Sequence, residues 1–221
     1  MYVARYSENG VPVEAREIQT NDGILTWVFS RNGAPLPPNE IEERKKKLND
    51  LISNSSRLAA NRNAMLDDDA LINRVLGDLP QSVQFECPVQ NAGVTTIRFK
   101  PLASPGTLDM VKRFLSEMGG ELQLDLNHMR LLSVSGSEQD DVWLIYGIAR
   151  VYKGSSVSLT RVQVAPGIWE ATQVSTHING NILFLKTISK DSDESRSRYK
   201  SVPSGLSAQD AIRILEVPGS N

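Results

Sequence analysis

Three turn dipeptides, Asn9-Gly10, Asp22-Gly23 and Asn32-Gly33, divide the N-terminal segment into strand-length runs, and they constrain the fold more than any other feature. Asn-Gly and Asp-Gly supply the positive φ values that tight hairpin turns need. The runs between them, Tyr2–Tyr6, Val11–Thr20 and Ile24–Phe29, are rich in β-branched and aromatic residues. This spacing predicts a three-stranded meander. Pro35, Pro37 and Pro38 then end the sheet, because proline cannot donate to a ladder.

The grammar changes from period two to period 3.6 after the prolines. Asn39 followed by Glu42 reads as a helix cap with a carboxylate in the first turn, and Ile41, Leu48, Leu51 and Ile52 recur at helical spacing. A second helix is predicted over about 62–79, ended by Gly77 or Pro80. The polar stretch Ser53–Arg57 reads as the linker between the two. This helical pair, about 39–79, is an insertion in an otherwise β chain and a candidate lid. The hinges of such a lid would be Pro35–Pro38 and Ser53–Arg57.

Strand patterning returns after Pro80. Val83–Val89 and Val94–Lys100 flank Gln90-Asn91-Ala92-Gly93 as a hairpin. A short helix is predicted over about 107–118, with Leu108, Val111, Phe114, Leu115 and Met118 on its apolar side and Gly119-Gly120 at its end. Glu121–Leu126 alternates strictly, and Arg130–Ser135 pairs with it. Val142–Tyr152 is apolar without a deciding period. Ser156–Val164, Ile168–Ile178 and Ile182–Ser189 form a C-terminal meander, turning at Ala165-Pro166-Gly167 and Asn179-Gly180-Asn181. From Lys190 the chain reads as a polar tail, with a short strand at Tyr199 and Val202 and a helix over about 208–215 capped by Ser207. The sum is an α+β chain of roughly nine to eleven antiparallel strands and two to four helices, expected as one domain over residues 1–221.

With 40% hydrophobic and 23% charged residues the chain has the composition of a globular protein. Lys+Arg 24 against Asp+Glu 26 leaves net charge −2, which removes the electrostatic case for nucleic-acid binding. No run has the length of a membrane helix. The N-terminus reads as a strand, so Met1 either opens a cytosolic protein or stands where an export signal has been removed.

No hydrolase elbow, phosphate loop, zinc-protease helix or dinucleotide fingerprint occurs in the sequence. Asp67-Asp68-Asp69 reads as carboxylates near a helix N-terminus rather than as a metal site. Asp191-Ser192-Asp193-Glu194-Ser195 begins like a calcium loop but has Arg196 where the glycine and Val202 where the final glutamate belong. Cys87, the only cysteine, has no basic cluster nearby in sequence and reads as structural rather than as a thiol nucleophile paired with His128 or His177. Both histidines read as solvated or hydrogen-bonded, and Lys45-Lys46-Lys47 as a solvated helix face. The sequence therefore predicts no enzyme, no catalytic residue, no metal and no cofactor.

Binding by shape is the remaining activity. Trp27, Phe29, Phe85, Phe99, Leu122, Leu124, Leu126, Trp143, Trp169 and Phe184 fall on strands. A sheet half-covered by helices can leave an apolar cavity lined by such residues. The same residues would equally fill a packed core.

Three stretches carry a resemblance. Glu121-Leu122-Gln123-Leu124-Asp125 followed by Arg130-Leu131 resembles a strand ending in Asp, a short turn and a return strand opening with Arg. Val164-Ala165-Pro166-Gly167-Ile168-Trp169-Glu170-Ala171-Thr172 resembles a turn, Gly-x-Trp and an outgoing strand. Ser30-Arg31-Asn32-Gly33-Ala34-Pro35-Leu36 stands before a charged helix. These are similar to elements of the LolA-like outer-membrane lipoprotein-sorting superfamily of Gram-negative bacteria, over about residues 11–203. The resemblance implies a large curved antiparallel sheet, an incomplete β-barrel with helices on its concave face and an apolar cavity between. It also implies a periplasmic location and a lipid or lipoprotein acyl chain as cargo. The superfamily's leading amphipathic helix has no counterpart here, and no functional residue is carried over. The expectation is a non-enzymatic periplasmic carrier. The alternative is a protein-interaction or envelope-stress sensor domain with a packed interior and another envelope protein as partner.

Overall fold

A computed structural model describes residues 1–102, 109–144, 148–182 and 186–217. The chain is α+β, with one antiparallel sheet of fourteen strands. It gathers into two compact units, Met1–Leu71 with Glu194–Asn221, and Ile72–Asp193.

In the first unit, β1 (Tyr2–Glu8), β2 (Val11–Thr20) and β3 (Gly23–Arg31) form the expected meander. Asn9, Gly10, Asn32 and Gly33 all have positive φ, as two-residue hairpin turns require. Sheet pairing does not stop at the prolines: β4 (Ala34–Pro35) still pairs with β3, an edge position where a missing N–H is tolerated. The cap of α1 (Pro38–Ser53) is Pro37 rather than Asn39, with Pro38 at the first helical position, where its fixed φ suits the helix. Asn54 is the whole break between the helices. Its Oδ1 accepts from the backbone N–H of Ser56 and Arg57, so α2 (Ser55–Ser82) starts at once and there is no five-residue linker. It also runs through Pro80, which sits so near the end that few backbone bonds are at stake. Asp67-Asp68-Asp69 therefore lies in mid-helix, not at an N-terminus.

One face of this meander carries Ile18, Leu25 and Trp27. They are buried against Leu48 of α1 and against Ala208, Ala211, Ile212 and Leu215 of α4 (Ala208–Glu216). The apolar positions of α4 repeat as i, i+3, i+4, i+7. Ser207 caps its start, and Arg16 closes its end by donating to the carbonyl of Leu215 at 2.9 Å. Leu48 anchors α1 in this core. The Lys45-Lys46-Lys47 run is solvated as expected, with Lys45 and Lys47 paired to Glu42 and Glu43.

The second unit holds β5 (Val83–Phe85), β6 (Val89–Asn91), β7 (Val94–Pro101), α3 (Met110–Ser116), β8 (Met118–Asp125), β9 (Arg130–Glu138), β10 (Val142–Leu144), β11 (Ala149–Val151), β12 (Ser156–Ala165) and β13 (Ile168–Ile182). Strand β14 (Lys186–Ser197) begins here, and its end pairs with β1 in the first unit. The hydrogen-bonded order is β4-β3-β2-β1-β14-β13-β12-β9-β8-β7-β5, and no described ladder closes the path on itself. The polar tail read from Lys190 is thus a strand. Helix α3 is shorter than expected: Asp109 caps it by accepting from the N–H of Val111 and Lys112, and Leu108 lies outside the described residues.

Two glycine signals mean something other than a chain stop. Gly120 lies within β8, where a Cβ would collide with the Ser135 carbonyl and sit 2.8 Å from the Phe99 ring. Gly180 lies within β13, where a Cβ would meet the Arg150 carbonyl of β11. Both admit a neighbouring backbone rather than a turn. The unit's core is Leu79, Val83, Phe99, Leu115 and Met118, with Leu122 packed against it.

Candidate functional site

The first unit contains a cleft built from three segments. The β2–β3 hairpin end supplies Gln19, Thr20 and Asn21, α2 supplies Arg62, Met65 and Leu66, and the loop before α4 supplies Val202–Leu206. Local hydrogen bonds explain why it is there. Thr20 Oγ1 donates to the Gly23 carbonyl and accepts from the Asp22 N–H, fixing the hairpin end. Asn61 Nδ2 donates to the carbonyls of Asp22 and Ile24 at 3.0 and 3.2 Å, which clamps α2 across it. Only glycine fits at position 23 beneath that clamp, since a Cβ would overlap the Asn61 side chain. Gln19 Nε2 reaches the Met65 sulfur at 3.5 Å.

The cleft has a volume of about 430 Å³. Met65, Leu66, Val202, Pro203 and Leu206 make its apolar walls, and Leu66 is 51% exposed. Arg62 stands on the rim, and among the described residues no carboxylate pairs with it. A second depression, around Asp50, Ser53, Asn54, Ser55 and Arg57, is larger at about 590 Å³, but its lining is polar and it has no wall for an apolar ligand.

Of the ten residues expected to line a cavity, the nine that are described are dispersed, and none of those nine lines this cleft. Trp27 is buried in the first core, with Phe29 packed on it beneath Arg16. Phe99 and Leu122 belong to the second core, and Phe85 is exposed with its ring edge-on to Phe99. Leu124 is half-buried and Leu126 exposed. Trp143 is half-buried with the Arg150 guanidinium 4.9 Å from its ring centre. Trp169 is half-buried, and its carbonyl accepts from Arg161. Phe184 lies outside the described residues. Sequence reasoning missed Met65, Leu66 and Leu206, because aromatic strand residues draw attention while helix and loop aliphatics look like ordinary packing.

Other candidate groups fall as follows. Cys87 is exposed in the loop between β5 and β6, not packed as a structural cysteine. His128 Nδ1 lies 2.6 Å from Asp125. His177 on β13 faces both Asp191 and Asp193 of β14, and its hydrogen bond to Asp191 raises its pKa above the ordinary value. Glu138, at the end of β9, is 1% exposed, and among the described residues neither carboxyl oxygen has a hydrogen-bond partner. Burial, helped by the negative charge of Glu117, pushes its pKa up to about 8. No helix among the described residues is long and apolar enough to cross a membrane. Comparison with protein-family models, with curated proteins and with solved structures finds no match for this chain.

Proposed function

We propose that this chain is a non-enzymatic binding protein that takes the acyl chain of a lipid or lipoprotein, in keeping with the LolA-like resemblance and a periplasmic location. The observation that carries the reading is the cleft: apolar walls of Met65, Leu66, Val202 and Leu206 beside a rim arginine that no carboxylate pairs among the described residues. That combination suits an amphiphile with an aliphatic tail and an anionic head. Its volume, about 430 Å³, falls within the range of small-molecule sites. Burying about eight methylenes contributes roughly 6 kcal/mol before ordering costs, so no catalytic group is needed for useful affinity. The site differs from the one expected, since its walls come from a hairpin end, a helix and a loop rather than from the sheet interior.

Titration with a fluorescent long-chain fatty acid, followed by native mass spectrometry of protein purified with its bound lipids, tests this. Leu66→Glu puts a charge on an exposed wall position and is expected to weaken uptake by about tenfold or more without unfolding the protein. Arg62→Gln is expected to weaken binding of the fatty acid but not of the corresponding uncharged alcohol. Absence of any uptake overturns the carrier reading.

A second reading, a protein-interaction or envelope-stress sensor domain, rests on a different observation. In the second unit Val89, Leu126, Met129, Val162 and Ile168 are all exposed, Met129 at 80%. The ladders β6–β7, β7–β8, β8–β9 and β9–β12 bring their hairpin ends to one side of the sheet. If lipid uptake fails, this end is where a partner would bind.

A further inference from the structure

A second group of side chains, on β13 and β14, shares no residue with the cleft. Asp191 and Asp193 are two residues apart on one strand, so their side chains leave the same face. His177 projects from β13 between them. Its Nδ1 is hydrogen-bonded to Asp191, and its Nε2 is 3.3 Å from Asp193. One ligand atom from each of the three residues lies within 4.8 Å of the other two. A hydrogen bond from Ser189 Oγ to Asn179 Oδ1, 3.1 Å long, ties the same two strands together two residues further along each.

Two carboxylates held this close repel each other unless a positive charge lies between them. A protonated imidazole is one such charge. A divalent cation is a stronger one, and on binding it takes the place of the ring proton. An imidazole with two carboxylates is a mixed nitrogen and oxygen donor set. It favours zinc-like metals over calcium or magnesium, which prefer oxygen alone. We propose that His177, Asp191 and Asp193 form a three-ligand site for a divalent transition cation of the zinc type, with water completing the coordination. The cation bridges β13 and β14, and the open water position leaves room for a fourth ligand from outside.

The chain carries its own controls. Its other histidine, His128, is paired with Asp125, and its one cysteine, Cys87, is exposed and offers a competing soft ligand. The experiment is calorimetric titration with Zn²⁺ in a Cys87→Ser background, repeated with Co²⁺ by visible absorption. One metal per chain is expected. Affinity should fall about tenfold or more in both His177→Ala and Asp191→Asn, and should stay unchanged in His128→Ala. Asp191 and Asp193 are exposed and His177 is only half-buried, so these variants are expected to fold, which circular dichroism checks. No binding up to millimolar metal overturns the proposal, as does binding that survives His177→Ala or is lost in His128→Ala.

Discussion

Glu17 on β2 and Glu138 on β9 are both buried carboxyls on strands, one in each compact unit, and their surroundings are opposite. Glu17, 9% exposed, accepts from Tyr2 Oη at 2.7 Å and from Thr26 Oγ1 at 3.0 Å. The strand registers Tyr2↔Glu17 and Glu17↔Thr26 put both donors on its own face, directly opposite it. Glu138 has only its backbone satisfied, its N–H donating to Ser155 and its carbonyl accepting from Gly154. Among the described residues no donor reaches the side chain. A buried carboxyl is thus tolerated in two ways: by supplying hydrogen-bond donors, or by letting it keep its proton. The cost of the first way falls on Tyr2, whose hydroxyl is shifted upward by burial and by the adjacent Glu17 charge. Tyr6, half-buried near the same carboxylate, is pushed up to about 12.

The largest expected effect breaks this contrast at Glu138. Its pKa rises from an ordinary 4.5 to about 8 in the folded chain. Below 4.5 both folded and unfolded states hold the proton. Between 4.5 and 8 only the folded state holds it, so stability falls steadily as pH rises, and above 8 the penalty is constant. Hydrogen exchange of the β9 and β12 amides, normalised for intrinsic rate, should report protection falling across that window by the equivalent of several kcal/mol at most (roughly 1.4 kcal/mol per pH unit). Flat protection from pH 5 to 8 would show that Glu138 is ionised throughout.

Glu138→Gln sharpens the point. It removes the charge but keeps the volume, so the pH dependence should vanish. At pH 9 the variant should gain about 1–3 kcal/mol, because the amide's own unmet hydrogen bonds offset part of the relief. The matching change in the first unit has the opposite sign. Tyr2→Phe takes one donor from Glu17 and is expected to cost about 1–3 kcal/mol, read from protection of the β1 and β2 amides. Thr26→Ala removes the longer, part-buried bond and should cost about 1 kcal/mol.

Much of the secondary structure was legible because it rests on local physics. Asn9-Gly10 and Asn32-Gly33 can hardly do anything but turn, and Ser207 with the spacing Ala208, Ala211, Ile212, Leu215 specifies a capped amphipathic helix. The misreadings share one cause, that a residue type serves two purposes. Gly120 and Gly180 look like breaks but provide room for an approaching backbone. Asp191 and Asp193 looked like part of a polar tail because nothing local announces that His177, fourteen residues before Asp191, lies on the adjacent strand. The candidate cleft was not legible at all, since Gln19, Met65 and Leu206 come from three segments that only folding brings together.

The sequence by itself determined the α+β class, the antiparallel meanders and the helix at the C-terminal end, because turn chemistry, strand alternation and capping act within a few residues. Tertiary structure alone decided which aromatic residues became packed core, which aliphatic side chains lined an open cleft, and which buried glutamate received donors. Those outcomes depend on register and on contacts between distant segments, and no short-range pattern encodes them.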